Sequence, residues 1–343
     1  MANNNFKPFA AAAGANVMAQ ADYEALAALL TGFQSGTAQS AQLNKVWRQS
    51  SIMAAVLGQF IVDLTGQDAI DDGTTATLLA NLKMAVQAQS AAVVGQARNL
   101  TMLVTAASST ATLNADEIVV GAALGGQKYL LKQFSKTINL AAAGPGGMDT
   151  GSVPASGFVA LYAIYNPATG ASALLATNAT SAVAPNVYSG ANLPAGYTAS
   201  ALVSVWPTNS SGQFIQGFQR DRRLDFQRTS AASSTSQVNG LTAVNVSSII
   251  PKNAVSCSGW LQVTCQASSS TQPAFNASTS VASDATGLGY QQLATANGST
   301  NSYLFVGIFR DVPVVTAQTI YWSTSVGGGT FNNGTLLISG YSF

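Results

Sequence analysis

Apolar residues recur along the chain with two different periods, and the change from one to the other divides it. From Leu43 onward, Leu43, Val46, Ser50, Met53, Leu57, Phe60 and Leu64 follow one another at steps of three and four residues. That spacing is the seam of a heptad repeat and predicts one long helix. The stretch "TGQDAIDDGTT" interrupts it, with Asp71, Asp72 and Thr74 offering N-cap chemistry. Beyond the break the same rule returns at Leu79, Leu82, Val86, Gln89 and Val93. The pattern predicts a helical hairpin over residues 38–98. Its stripes can close on each other in a small intrachain bundle or meet further copies of the chain. Two short helices bury little area alone, which favours an oligomer with Leu43, Val46, Met53, Leu57, Phe60 and Leu64 as its seam. Residues 1–37 carry only scattered large apolar side chains, among them Phe6, Phe9, Val17, Tyr23, Leu26 and Phe33. Such a segment cannot form a core by itself. It can be ordered by seating these anchors in a groove on another protein.

Past Asn99 the period becomes extended. In "GFVALYAIYNP" and "YLFVGIFRD" both faces of the predicted strand are apolar: Phe158, Ala160, Tyr162 and Ile164 lie opposite Val159, Leu161, Ala163 and Tyr165, and Tyr303, Phe305 and Phe309 lie opposite Leu304, Val306 and Ile308. Such strands are central, or lie between a core and a subunit interface. In "GWLQVTC" the face of Trp260, Gln262 and Thr264 opposes Leu261, Val263 and Cys265, the pattern of a half-exposed strand. Turn signals such as Asn166-Pro167, Pro194-Ala195-Gly196, Gly327-Gly328-Gly329 and Asn332-Asn333-Gly334 recur through the region, as they do in antiparallel sandwiches. The expected fold is mainly β with an N-terminal α-helical region and antiparallel β-sandwich-type modules. The charge-rich stretch "RDRRLDFQRTSAASSTSQVNG" reads as a linker between a first β module, residues 99–228, and a C-terminal one, residues 229–343. Its arginines and aspartates read as a polar subunit contact or a solvated edge rather than an anion site.

Composition narrows the chemistry. Charged residues are 8% of the 343, and the formal net charge is +1, so there is no basic field for nucleic acid or an anionic membrane. No run of about 20 apolar residues is present, and none predicts a spanning helix. The Ala-rich start, interrupted by Asn16 and preceded only by Lys7 as a basic residue, is a poor match to a signal peptide. Cys257 and Cys265 stand about 26 Å apart if they share one extended strand, beyond disulfide reach, and are expected to be free. Absence of histidine removes imidazole-based acid/base, triad and zinc arrangements. "GAALGGQKY" lacks the order of a phosphate-binding loop. Seven acids follow residue 99, and the adjacent pair Asp116-Glu117 points to opposite faces of a strand, poor geometry for glycoside hydrolysis. The expectation is a protein that is not an enzyme and needs no cofactor or metal.

Two stretches resemble the tail-fibre proteins of tailed bacteriophages and related prophages. One is "NVMAQADYEALAALLTGFQSGTAQSAQLNKVWRQSSIMAAVLGQFIVD" with "DDGTTATLLANLKMAV", similar to the N-terminal segment that attaches such fibres to the virion. The other runs from "NADEIVV" through "GPGGMDTGSVPASGFVALYAIYNPATGASALLATNAT" and "LPAGYTAS" to "TNSSGQFIQGFQRDRRL", similar to a β-rich module of these fibres. The resemblance covers about two thirds of the chain. It implies a homotrimer, docking of residues 1–37 on other tail proteins, folding in the host cytoplasm, and a C-terminal region facing a bacterial surface polysaccharide or protein. Candidate tip residues are Tyr290, Tyr321, Trp322, Phe331, Asn332 and Asn333, although a hairpin turn plus core aromatics accounts for each of them singly. Two rival readings stay open, a purely structural brace of the tail and a polysaccharide-degrading fibre.

Overall fold

The computed structural model describes residues 2–33, 35–36, 39–88, 92–267, 275–297 and 302–343. The chain forms two compact units, one of residues 1–91 with 125–129, the other of residues 92–124 and 130–343. It is mainly β, with its helices near the N-terminus and antiparallel sheets in a sandwich-like arrangement.

Helices α1 (Gln20–Glu24), α2 (Ala28–Thr31), α3 (Ser40–Thr65) and α4 (Ala76–Ala88) build the first unit. Gly66 ends α3 in the left-handed region at φ +65° and donates its N–H to the Val62 carbonyl, a stop that a side chain would strain. Asp72 Oδ1 then accepts from the N–H and hydroxyl of Thr74, each at 2.8 Å, which orders the turn into α4. Ile61, Ala69 and Ala85 form the core between the helices, with Phe6, Phe60, Leu64, Leu78 and Leu82 packed around it. The heptad stripe therefore divides. Phe60 and Leu64 turn inward within one chain, while Met53 and Leu57 stay exposed. Val86 is exposed too, Val93 lies beyond α4, and Gln89 falls outside the described residues.

Among the described residues sixteen strands follow. They are β1 (Ala97–Arg98), β2 (Thr101–Val104), β3 (Thr110–Gly121), β4 (Lys128–Asn139), β5 (Phe158–Asn166), β6 (Ala171–Asn178), β7 (Ala199–Pro207), β8 (Gly217–Arg220), β9 (Arg223–Ser234), β10 (Val238–Asn245), β11 (Ser256–Ala267), β12 (Phe275–Ala282), β13 (Gln291–Asn297), β14 (Ser302–Pro313), β15 (Thr319–Gly327) and β16 (Gly329–Ser342). The larger sheet has the order β14-β11-β16-β9-β8-β2-β3-β7-β5-β6, with β1 and β4 also paired to β3, and the smaller one has the order β10-β15-β12-β13. Strand β5, apolar on both faces, lies between β6 and β7 and is buried from Phe158 to Ile164. Its β-branched and aromatic residues suit a pleated surface covered on both sides. Strand β11 alternates as expected, with Leu261, Val263 and Cys265 buried and Trp260, Gln262 and Thr264 half-exposed. Its inner face, with Tyr303, Phe305 and Phe331, packs on Phe275, Ala277 and Val326 of the smaller sheet.

One sequence expectation is corrected and another narrowed. No linker separates two β modules: residues 220–234 are the β8–β9 hairpin and strand β9, which runs through the predicted boundary at residue 228 and pairs with β16 as far as Ser234. Leu224 and Phe226 are buried, so alternation outweighs the high charge density of the segment. Of the two positions expected for strand β14, the central one does not hold: it stands at the end of the larger sheet, with Leu304, Val306 and Ile308 exposed on its outer face.

Both cysteines are free and buried on β11. Burial, with Asp311 nearby, pushes the Cys257 thiol up to about 12. Tyr341 is buried with its hydroxyl bound to the Val205 carbonyl at 2.6 Å, and burial raises it well above its usual value. Burial likewise raises Tyr162, and burial with the Asp149 hydrogen bond takes Tyr188 to about 12. Between the unfolded values near 9 to 10 and these folded ones the native state binds more protons, so stability falls as pH rises. With no histidine to titrate, Tm is expected to stay flat from about pH 5.5 to about 8.5 and to drop steadily above pH 9. A Tm that rises between pH 9 and 11 contradicts this.

Candidate functional site

Residues 1–37, expected to form no core by themselves, find a partner for several of their anchors in α3 of the same chain. The segment runs antiparallel along α3. Asn4 Nδ2 donates to the Ala55 carbonyl at 2.8 Å, the Phe9 N–H to Ser51 Oγ at 2.8 Å, and the Met18 N–H to the Ala41 carbonyl at 3.1 Å. Asn5 and Asn3 bridge to Ala69. Gly58 permits this approach: a Cβ there would sit 2.4 Å from Asn4 Oδ1, so a helix-weakening glycine is kept where the segment crosses. Phe6 joins the helical core, Tyr23 is buried under Lys45, whose Nζ lies 5.7 Å from its ring, and Val17 and Leu26 are half-buried. Phe9 meets Trp47 edge-on at 5.7 Å and keeps nearly half its surface exposed. Phe33 remains exposed, as do Leu29 and Leu30 on α2; Leu30 is 95% exposed.

Along α3 the outer surface keeps Trp47, Ile52, Met53, Val56 and Leu57 exposed, while Leu43 and Val46 are half-buried. On α4, Leu79 and Val86 are exposed. A cluster of this kind exceeds the scattered single apolar residues of an ordinary monomer surface.

The six candidate tip residues do not meet. Trp322 is 3% exposed, with Nε1 donating to Thr279 Oγ1 at 3.1 Å. Phe331 packs against the sandwich core, and Asn332 and Asn333 lie within β16, not in a loop. Only Gly328, at φ +75°, forms the turn; Thr330 and Phe331 already pair with Gln266 and Cys265. Tyr321 pairs with Ala282 at one end of the smaller sheet and Gly327 with Asn276 at the other, so Tyr290 and Tyr321 are a strand length away from Phe331.

A different constellation lies on the outer surface of β9, β16, β11 and β14. Three irregularities converge there: β11 shifts register at Ser258 and Gly259 against both neighbours, β16 shifts between Ile338 and Gly340 against β9, and Asp311 on β14 takes φ +51°. Bulges re-aim side chains and recur at functional edges. Arg223 crosses this ground. Its Nη2 lies 2.8 Å from Asp225 Oδ1, and its Nη1 lies 2.9 Å from Asp311 Oδ1 and 3.1 Å from Ser258 Oγ. Gly340 leaves room, since a Cβ there would lie 2.5 Å from Asp225 Oδ1. An open groove of about 750 Å³ results, with Trp260, Ile308 and Arg310 also on its walls. The Arg228 guanidinium stacks 4.7 Å from the Trp260 ring centre. A second groove of about 550 Å³, lined by Leu103, Phe218 and Phe226, meets the first at Asp225.

The sequence signal for Trp260 was available, because a tryptophan on the Gln262–Thr264 face of a half-exposed strand points outward. Asp311, 88 residues from Arg223, gave none. Among the described residues no group of three or more histidine, cysteine or acidic residues is placed to hold a metal ion, and no helix is long and apolar enough to cross a membrane.

Comparison with protein-family models and with curated proteins finds no match. Among solved structures, the chain aligns with a chain of the T13 IBDV viral particle at 9% identity and TM-score 0.22, covering 72% of this chain and 69% of that one. It also aligns with an exo-β-1,3-galactanase from Phanerochaete chrysosporium at 12% identity and TM-score 0.15, covering 70% of this chain and 56% of the enzyme. Similarity at this level carries no argument about this chain's function.

Proposed function

We propose that the chain is a non-enzymatic structural protein of the virion, a trimeric tail fibre that docks on the tail through its helical unit and presents its β unit to the host surface. The observation that carries this reading is the uncovered pair Met53 and Leu57 of the heptad stripe on α3, flanked by exposed Val56. Burying such residues is worth about 1.5–3 kcal/mol each, and a further copy of the same stripe is a partner of matching shape. Of the heptad positions, Met53 and Leu57 stay uncovered on the single chain, whereas Phe60 and Leu64 are spent on its own core. The resemblance in the two quoted stretches supplies the tail-fibre setting. With Phe6 and Tyr23 used within the chain, docking falls to the exposed apolar residues Leu29, Leu30 and Phe33. Other tail proteins are the partners at that end, and a bacterial surface polysaccharide or protein at the other.

Sedimentation equilibrium of the full chain at micromolar concentration tests the carrying observation. The expected mass is three times the 35.0 kDa of one chain. A single-chain mass at that concentration overturns the trimer.

A further inference from the structure

The geometry points to the paired grooves on the outer surface of the larger sheet as a binding site for a neutral saccharide chain, centred on Arg223, Asp225, Trp260, Arg310 and Asp311. This deepens the host-attachment reading, which it takes as its setting, by giving the ligand a chemistry and a place.

Three features select that ligand. First, the polar groups are planar, charged and still wet: Asp225 and Asp311 keep 52% and 65% of their side-chain surface although both pair with Arg223. Among the described residues, Asp311 Oδ2 and the Arg310 guanidinium make no hydrogen bond, so the groove wall offers both a free acceptor and a free donor. Adjacent hydroxyls of a sugar, each both donor and acceptor, match such a pair and replace its water without stripping the charges bare. Second, two arginines and two aspartates share the groove wall, and a third arginine, Arg228, lies over Trp260 beside them. A uronate or phosphate drawn to Arg223, at the centre of the groove, would meet Asp225 and Asp311, which already pair with it, and this repulsion favours an uncharged chain there. Third, Trp260 supplies a broad apolar ring beside these groups, the combination that takes the C–H face of a sugar while its rim is hydrogen-bonded. Arg228 covers the indole and is itself exposed, so a stacking sugar displaces it into water.

The other occupants fit less well. A subunit interface is depleted of charge at its centre, and closing this groove against protein would desolvate Arg223, Asp225 and Asp311 together. An extended peptide would add to the free edge of β14, but Gln291 occupies that edge at Arg310: its Nε2 donates to the Arg310 carbonyl at 2.6 Å, and its Oε1 accepts the Arg310 N–H at 2.9 Å. Asp225 lines both grooves, and Phe218, 40% exposed, adds a second apolar ring on the far side of it.

The test is titration of the full chain with maltohexaose, cellohexaose, laminarihexaose and mannohexaose, with hexagalacturonate as the acidic counterpart, read by calorimetry and tryptophan fluorescence. At least one neutral hexasaccharide is expected to bind at least tenfold tighter than hexagalacturonate and to change the indole emission. Trp260→Leu and Asp311→Asn are each expected to weaken that binding at least tenfold. Arg310→Ala, whose side chain makes no hydrogen bond or ion pair among the described residues, is expected to weaken it several-fold at unchanged Tm. Absence of binding by all four neutral chains, equal or tighter binding of hexagalacturonate, or wild-type affinity in Arg310→Ala and Trp260→Leu each overturns the proposal. The attachment reading is scored separately by binding of the full chain to host cells. Cell binding that survives the groove variants removes this site and leaves that reading, whereas glycan binding without cell binding does the reverse.

Discussion

Replacing Met53 and Leu57 together by Asp is expected to reduce the protein from three chains to one at micromolar concentration while the β unit keeps its Tm. Both side chains are exposed in the single chain, so two carboxylates there cost the monomer little. In the trimer seam they would be buried without partners in every copy, at about 3–5 kcal/mol per site, more than a seam of a few apolar residues can offset. The choice of residues matters. Phe60→Asp would strike the intrachain core around Ile61 and Ala85 as well and would confound assembly with folding. Sedimentation and thermal unfolding of the double variant, run beside wild type, separate the two effects. A double variant that keeps the wild-type mass shows that the stripe is not the seam.

Gly259→Ala is expected to destabilise the β unit by about 3 kcal/mol or more and to abolish the groove with it. A Cβ at this position would lie 1.9 Å from the Leu337 carbonyl oxygen and 2.9 Å from the Ile338 Cα. These are backbone atoms of the paired strand and cannot swing aside as a flexible side chain does. The β11–β16 ladder must open where both strands are bulged, and the register that aims Ser258, Arg223 and Asp311 at one another is lost. Thermal or urea unfolding gives the loss of stability. A change below about 1 kcal/mol would mean that the bulge relaxes freely.

What could be read from the sequence follows the reach of each signal. Periodicity is local, so α3, β5 and β11 were legible from their own residues. Whether an apolar face is covered is not local. The two apolar faces of "YLFVGIFRD" looked like those of β5, yet β14 ends the sheet, because its outer neighbours were decided by pairings many residues away. The "GGGTFNNG" stretch read as a loop since glycine and asparagine favour turns. Tertiary pairing of Thr330 and Phe331 with β11 overrides that preference after the single turn at Gly328. Phe6 and Tyr23 looked unsupported because their partners on α3 lie more than 20 residues on, and an Asn4–Gly58 contact leaves no periodic trace. The groove was the least legible of all: Arg223 and Asp225 stood out as a dense charge cluster, but Trp260 and Asp311 reach them only through strand order and bulges.

The most direct test of the whole account is electron microscopy of tailed particles released by cells that carry this gene, labelled with gold-conjugated antibodies to residues 1–37 and to residues 303–343. The account predicts both labels on the tail, with the C-terminal label farther out than the N-terminal one. Intact particles that bind neither antibody, while the chain is found free in the same lysate, would contradict it.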